Sequence, residues 1–350
     1  MKSDDEGFLY PFVDQANCIE CGLCEKVCPI KNTPESSGSN VLGYAAKAKD
    51  NAIRMSSSSG GIFYLLASNV INKGGVVFGA ALVDKCMVRH IFVDSITGIE
   101  RLQRSKYVQS DISDTFKTAK SFLDKGRLVL FSGTPCQIAG FEAFLGRDYD
   151  TLITQDIACH GVPAPLVYRK YKEYLSEKEN SILKSINFRE KSTGWYDYSL
   201  ALKFENGNVI CESHNKDIFM LDYLYNYSLR PSCYDCKFKG IQRCSDITLA
   251  DFWGIDKMMP EMFDDIGVSL VMIQSEKGKV IFDEISDKID CKKADCEQAA
   301  IYNTAIVESV KLPVERKMFF RKIKKSDYSA AHTAAKRRHL VEIVKRRIIK

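Results

Sequence analysis

Arg127-Leu-Val-Leu-Phe-Ser-Gly-Thr-Pro-Cys-Gln-Ile-Ala-Gly-Phe-Glu-Ala-Phe-Leu145 sets a strand, a turn and a helix in one short stretch. Residues 127–132 form an apolar run of strand length, Gly133 and Pro135 punctuate it, and residues 138–145 suit a helix. The alternation continues on both sides. Residues 61–72 read as a buried helix, 75–83 as a strand and 112–123 as a helix. Residues 152–158 read as a strand and 166–174 as a helix, and a further pair follows at 267–273 and 277–287. Strands alternating with helices predict an α/β core.

Residues 185–213 change style. Strands are expected at 186–189, 198–204 and 209–212, with Glu205-Asn206-Gly207 as the turn between the last two. Asn-Gly between two apolar runs is a hairpin signal. Residues 217–227 read as a helix. The expected fold is an α/β (α+β) body with a mixed β-sheet over residues 42–300. A small ferredoxin-like module (1–35) precedes it, and a basic helical C-terminal tail (301–350) follows. Residues 31–41 are short, polar and rich in Ser, Gly and Pro, as a linker is. No repeat of 20–50 residues is visible.

The bulk numbers fit a globular chain: 350 residues, 45% hydrophobic and 27% charged. Thirteen cysteines is a high count for that length. The first six residues are acidic with no apolar run behind them, unlike a signal peptide, and no stretch approaches 18 apolar residues. A reducing, cytoplasmic setting is therefore expected, where clustered thiols mean metal or redox chemistry. Residues 316–350 hold 13 Lys and Arg against two acids, a net of +11, which leaves residues 1–315 at −6 of the chain's +5. A tail of that charge favours an anionic partner such as a membrane surface, although a solvated helix has the same composition. Nucleic-acid binding would rest on the tail alone and is not expected.

Cys18, Cys21, Cys24 and Cys28, followed by Pro29, have the spacing of a bacterial ferredoxin motif. Three thiolates at x2 gaps wrap one cubane from a tight loop, Gly22 relieves crowding, and Pro29 turns the chain away. Zinc prefers paired CxxC units. In two-cluster ferredoxins the fourth cysteine of such a run ligates the other cluster, yet only one run is present here. Residues 1–18 resemble the connection between two such motifs. This raises the expectation that a first motif lies upstream of Met1, which the DNA ahead of that codon would test.

A second constellation lies in the body. Cys136 and Cys159 each follow a predicted strand, and Cys233 and Cys236 form a CxxC. Strand ends of an α/β sheet face one crevice. Four thiolates gathered there suit a second [4Fe–4S] cluster, although isolated cysteines are commonly buried small hydrophobes. Cys244 is the best reserve ligand. Cys86, Cys211, Cys291 and Cys296 read as ordinary thiols.

Six segments in one order then carry a family resemblance. They are Ser58-Ser-Gly-Gly-Ile62, Ser105-Lys-Tyr-Val-Gln-Ser110, Gly133-Thr-Pro-Cys-Gln-Ile-Ala-Gly140, Cys159-His-Gly-Val-Pro163, Arg230-Pro-Ser-Cys-Tyr-Asp-Cys236 and Ser245-Asp-Ile-Thr-Leu-Ala-Asp-Phe-Trp-Gly254. Residues 1–300 resemble the coenzyme F420 hydrogenase/dehydrogenase beta-subunit family. The resemblance implies a ferredoxin-like N-terminus joined to a body that binds FAD and a [4Fe–4S] cluster. It matches Cys136, Cys159, Cys233 and Cys236 to the cluster ligands.

A flavin is the expected companion of such clusters, because it converts one-electron into two-electron chemistry. Ser59, Gly60 and Gly61 open a helix whose N-terminus suits phosphate or a ring oxygen; a capped helix with a Gly-Gly turn would look the same. Lys106 could neutralise a pyrophosphate or the reduced flavin and Tyr107 could stack, or the two are a surface Lys and a packed Tyr; the resemblance implies FAD for both, with Ser110 beside them. No GxGxxG is present, so this is not a Rossmann site. Asp246 and Asp251 flank a predicted strand and either hold the flavin or cap a turn. Trp195 and Trp253 are aromatics of a substrate wall or of the core. His160 is a candidate proton donor, or a ring bonded to a cluster sulfur or the backbone.

The expected activity is that of a ferredoxin-linked, flavin-dependent oxidoreductase. Electrons would pass from reduced ferredoxin or a similar carrier through the clusters to FAD, then to a substrate or carrier. Sequences resembling this one include many like those of polysaccharide-biosynthesis loci. The alternative is a non-catalytic electron-transfer subunit serving a catalytic partner subunit.

Overall fold

The computed structural model describes residues 1–33 and 40–348, with side chains up to residue 339. Strands β1 (Lys2–Ser3) and β2 (Leu9–Tyr10) pair antiparallel, and the short helix α1 (Leu23–Lys26) follows. The body begins with β3 (Leu42–Ala48), α2 (Asn51–Ser56), α3 (Ile62–Asn72), β4 (Val76–Val83) and β5 (Met87–Val93). It continues through α4 (Thr115–Leu123), β6 (Val129–Gly133), α5 (Pro135–Leu145), β7 (Leu152–Ile157) and α6 (Pro165–Glu179). A three-stranded antiparallel sheet of β8 (Leu183–Glu190), β9 (Ser199–Phe204) and β10 (Val209–Ser213) comes next, then α7 (Ile218–Leu224). The chain ends with β11 (Ile247–Asp251), α8 (Ile255–Met258), β12 (Ser269–Ile273), α9 (Glu276–Asp283), β13 (Ile289–Lys293), α10 (Cys296–Tyr302), α11 (Arg316–Ile323) and α12 (Tyr328–Ile348).

The main sheet has eight strands in the order β13-β3-β12-β11-β7-β6-β4-β5. Its centre, β4, β6, β7 and β11, is parallel; the outer pairings are antiparallel. The expected mixed α/β body is therefore present, and the Asn206-Gly207 turn joins β9 to β10 as its residues dictate. Three main-sheet strands escaped the sequence reading. β3 is rich in Ala and Gly, whose β-propensity is low, because Gly43 lies under the Ala294 carbonyl and the Cys296 sulfur. β13 is a polar edge strand with Lys292 and Lys293, the composition that blunts an edge. β5 forms the opposite edge.

Helix α5 starts earlier than expected. Pro135 sits at its first position, and Thr134 and Gln137 form a capping box with reciprocal side-chain bonds to the backbone. Cys136 thus lies in the first turn of a helix rather than in a loop.

The boundary expected at residue 300 is not a packing boundary. Phe319, Phe320, Ile323, Tyr328, Ala331 and Ala335 are buried in one core with Tyr171, Phe219 and Tyr227. Each fully buried large apolar side chain contributes about 1.5–3 kcal/mol. Helix α12 is further fixed where the Tyr328 hydroxyl (2.7 Å) and His332 Nδ1 (2.8 Å) meet the fully buried Asp222 carboxylate. In the sequence, residues 340, 341, 343, 344, 348 and 349 are apolar positions on the basic tail that suit an interfacial or partner helix; they lie outside the described side chains. The N-terminus is anchored on the same face. Phe8 is buried in that core, Glu6 is paired with Arg316, and the Leu166 amide donates to the Glu6 carbonyl (3.0 Å).

Candidate functional site

The C-terminal ends of β4, β6, β7 and β11 share one edge of the sheet, where α/β folds bind ligands. Cys136 follows β6, its sulfur 3.2 Å from Thr134 Oγ1, and Cys159 lies just past β7. The CxxC is brought to them by a backbone ladder. Ala164 N donates to Ser228 O (2.7 Å), and Arg230 N to Val162 O (2.9 Å). Gly161 is required between them, because a Cβ there would stand 2.9 Å from Leu229. Cys236 N is held by Ser309 Oγ at 2.9 Å.

The four thiols sense one another. Burial raises the pKa of Cys136, of Cys159 and of Cys233, the last to about 11, and other members of the set raise each one further. Among the described residues, no three His, Cys, Asp or Glu side chains converge tightly enough for a single metal ion. A cubane makes a different demand, since each thiolate binds a separate iron and the sulfurs stand further apart. Four thiols, Cys136 exposed and the other three half-buried, fit such a cationic core, which needs all four deprotonated.

In the N-terminal module Cys18, Cys21 and Cys24 are exposed and Cys28 half-buried. Glu20 and Gly22 both adopt left-handed backbone (φ +53 and +69), which coils the loop between the cysteines and starts α1. Asn32 closes it, donating to the carbonyls of Glu25 (2.9 Å) and Lys26 (3.1 Å).

A cleft of about 540 Å³ opens beside the sheet edge, lined by Ser56, Tyr64, Arg101, Arg104, Lys106 and Phe188 among others. Its lining holds three cations, Arg101, Arg104 and Lys106, against one acid, Glu100. Lys106 Nζ is held by the carbonyls of Leu102 (2.9 Å) and Arg101 (3.3 Å), and burial, then Arg104, pull its pKa down to about 7. Behind the wall Lys191 donates to the carbonyls of Ile266 (2.7 Å) and Ser59 (3.3 Å), and burial, then Arg189, lower it to about 7 as well. Neither lysine has a carboxylate partner among the described residues. Such an arrangement suits a polyanionic ligand, so the cleft fits the phosphates of a dinucleotide in size and charge.

Between cleft and thiols stands an aromatic wall. His160 packs on Tyr223 (4.9 Å between ring centres) and Tyr223 on Tyr107 (4.9 Å), whose other side meets Phe188 (5.8 Å). Arg189, buried, donates to the Tyr107 hydroxyl (3.2 Å), Asp251 Oδ2 (3.1 Å) and the Ser58 carbonyl (3.2 Å), under the rings of Tyr198 and Trp253. Trp195 Nε1 donates to the other Asp251 oxygen at 3.1 Å.

Of the expected flavin residues, Lys106 lines the cleft, and Tyr107 and Asp251 belong to its back wall. Ser110 accepts from Gln137 (2.9 Å), tying the Lys106 segment to the Cys136 turn. Ser59 and Gly60 are not free donors. Ser59 Oγ donates to Val268 O, Gly60 N donates to Ser269 Oγ, and a Cβ at Gly60 would lie 2.4 Å from Ala46 O. Gly60 and Gly61 serve close packing of α3 on the sheet. Asp246 lies at the opposite edge. It accepts from Thr154 N (2.7 Å), and β11 separates it from Asp251 by roughly 16 Å. His160 does not line the cleft. Its Nε2 is held by Asn226 Oδ1 (2.6 Å), and burial lowers its pKa. Trp195 is fully buried, as a core residue is. The sequence reading missed Arg104, which directly precedes the Ser105 segment, and Arg189 and Lys191, for which the sequence held no signal.

Residues 126–298 match the family model for the C-terminal part of the beta subunit of coenzyme F420 hydrogenase/dehydrogenase. The body segment belongs to this family. Residues 9–30 match a 4Fe-4S binding domain, so the N-terminal module is an iron–sulfur domain. No curated protein matches the chain. A chain from a xenon-derivatised structure of the F420-reducing [NiFe] hydrogenase complex of Methanosarcina barkeri superimposes with a TM-score of 0.52. It is 16% identical, with 77% of this chain and 88% of that chain covered, a likeness of fold. The chain is an iron–sulfur redox protein of hydrogenase/dehydrogenase beta-subunit type. Among the described residues no helix is long and apolar enough to cross a membrane.

Proposed function

We propose that the chain is an iron–sulfur flavoprotein oxidoreductase. Electrons enter at the Cys18–Cys28 motif from reduced ferredoxin or a similar carrier. They pass by way of a second [4Fe–4S] site at Cys136, Cys159, Cys233 and Cys236 to FAD in the cationic cleft, and on to a substrate or carrier. The observation that carries this reading is the gathering of four thiols from three distant segments beside that cleft. FAD would supply the exchange between one- and two-electron chemistry. Arg101, Arg104 and Lys106 would hold its phosphates, while the Arg189–Asp251 pair fixes the wall behind them. Anaerobic purification followed by iron, sulfide and flavin analysis tests it. About eight irons and one FAD per chain are expected, falling to about four irons in Cys136→Ser. One cluster in both proteins, or no flavin, refutes it.

A second reading is an electron-transfer subunit of a larger redox complex. It is favoured by Phe12, Ile19, Leu23 and Ile30, all more than half exposed on the N-terminal module. Flavin-dependent turnover by the isolated chain would exclude it.

A further inference from the structure

Several buried or half-buried arginines in this fold have a carboxylate. Arg243 pairs with Asp156 (3.3 Å), Arg189 with Asp251, Arg54 with Asp264 and Arg316 with Glu6. Lys239 and Arg230 are different. Lys239 Nζ is held by two carbonyl oxygens, of Cys159 (2.5 Å) and Ala305 (2.7 Å). Arg230 donates to Gln109 Oε1 (3.2 Å) and the Leu9 carbonyl (3.1 Å), under the rings of Phe8 and Tyr10. Among the described residues neither forms an ion pair.

Both sit at the cysteine segments instead: Lys239 Nζ bonds the Cys159 carbonyl, and the Cys233 amide donates to the Arg230 carbonyl (2.9 Å). From there the charge of Lys239 acts on Cys159, Cys233 and Cys236, and that of Arg230 on Cys136 and Cys233. In the sequence they bracket the CxxC symmetrically, Arg230 three residues before Cys233 and Lys239 three residues after Cys236. An oxidised cubane carries two positive charges and its thiolates four negative. Two net negative charges remain, and one-electron reduction adds a third. A buried anion of that size needs compensation, and two cations without partners of their own match it.

We propose that Lys239 and Arg230 are a cationic clamp that neutralises the cluster of the Cys136, Cys159, Cys233 and Cys236 site and sets its reduction potential. The inference rests on the second-cluster reading above. Both are positioning and tuning residues, not ligands. Because Arg230 also holds the Leu9 carbonyl, the same side chain joins the segment leading to the first cysteine motif to the body site.

The test is an EPR-monitored redox titration of the full chain, anaerobically reconstituted, comparing the native protein with Lys239→Gln, Lys239→Arg and Arg230→Gln. Signals are assigned by subtracting those of Cys136→Ser, and the N-terminal cluster serves as the internal reference. Losing either cation should favour the oxidised body cluster at least tenfold at fixed potential, a fall of about 59 mV for one electron. Lys239→Arg should restore the native value, and the N-terminal cluster should not move. A full iron content with the body potential unmoved in both neutral variants overturns the proposal. If Lys239→Gln loses the body iron, recovery in Lys239→Arg supports the clamp. No recovery overturns it in favour of a neutral brace between two carbonyls. A native protein whose spectrum Cys136→Ser leaves unchanged has no body cluster, which is failure of the underlying reading and is distinct from the other outcomes.

Discussion

Asp251→Ala should destabilise the protein through a mechanism the geometry makes specific. The Arg189 side chain is 2% exposed and Asp251 is its only carboxylate among the described residues. Burial works against the guanidinium charge, and Asp251 restores it. Removing one partner of a buried pair leaves an uncompensated charge, at a cost of about 3–5 kcal/mol. Trp195 Nε1 loses its acceptor at the same time. Over 350 residues the unfolding entropy is about 0.7 kcal/mol/K, so the melting temperature should fall by about 4–7 °C. The chain has only two tryptophans, Trp195 and Trp253, stacked 4.8 Å apart over this pair, so their fluorescence reports the site directly. Adding Arg189→Met to Asp251→Ala should recover part of the loss, since no charge is then left buried. A drop below 1 °C with unchanged tryptophan emission would refute the argument.

Three further outcomes follow from other sites. Burial raises Glu142, on α5, to about 7 from 4.5, so its contribution to stability is present below pH 4.5 and is lost as pH rises through 7. Melting curves of Glu142→Gln should lack that slope and lie relatively higher at pH 8. Lys106, with its pKa near 7, should hold an anionic cofactor more tightly at pH 6 than at pH 8.5. FAD titrations of Lys106→Met should show that pH dependence reduced, and an unchanged dependence would remove Lys106 from the cleft chemistry. Phe319→Ala, in the core shared by α11 and α6, should cost about 3–5 kcal/mol in denaturant unfolding, whereas a dispensable tail would show almost none.

What the sequence disclosed depended on how local each signal was. The Cys18–Cys28 motif, the parallel strands and the Asn206-Gly207 hairpin are written in contiguous residues, and all are where their residues place them. The Thr134–Gln137 capping box was equally local, and it moves Cys136 into a helix start. Other features depend on tertiary contacts. The paired glycines Gly60 and Gly61 open a helix in a way that suits phosphate, and only the approach of Ala46 and Ser269 to Gly60, and of Ile53 and Ala48 to Gly61, shows how closely they are packed. Asp246 and Asp251 flank one strand symmetrically in sequence, yet a strand has two ends, and only one opens on the crevice. Arg189 and Lys191 belong to a separate antiparallel sheet, so no spacing relates them to the Ser58 loop they hold. A run of Lys and Arg likewise suggested a tail after residue 300, although the aromatic residues among those charges belong to the core.

The distribution of positive charge ties these features together. Cations that serve the fold are paired with carboxylates in this protein, at Asp156, Asp251, Asp264 and Glu6. Lys106, in the cleft lining, and Lys239 and Arg230, at the cysteine segments, are held by carbonyl oxygens or amide groups and form no ion pair among the described residues. A carbonyl or amide oxygen orients a cation without cancelling its charge. Keeping such charges at partial burial costs stability unless an anion arrives to meet them. Their grouping at two neighbouring places would serve the two anionic groups proposed above, the body cluster and the FAD phosphates. It is the juxtaposition an electron relay from a cluster to a phosphate-bearing cofactor requires.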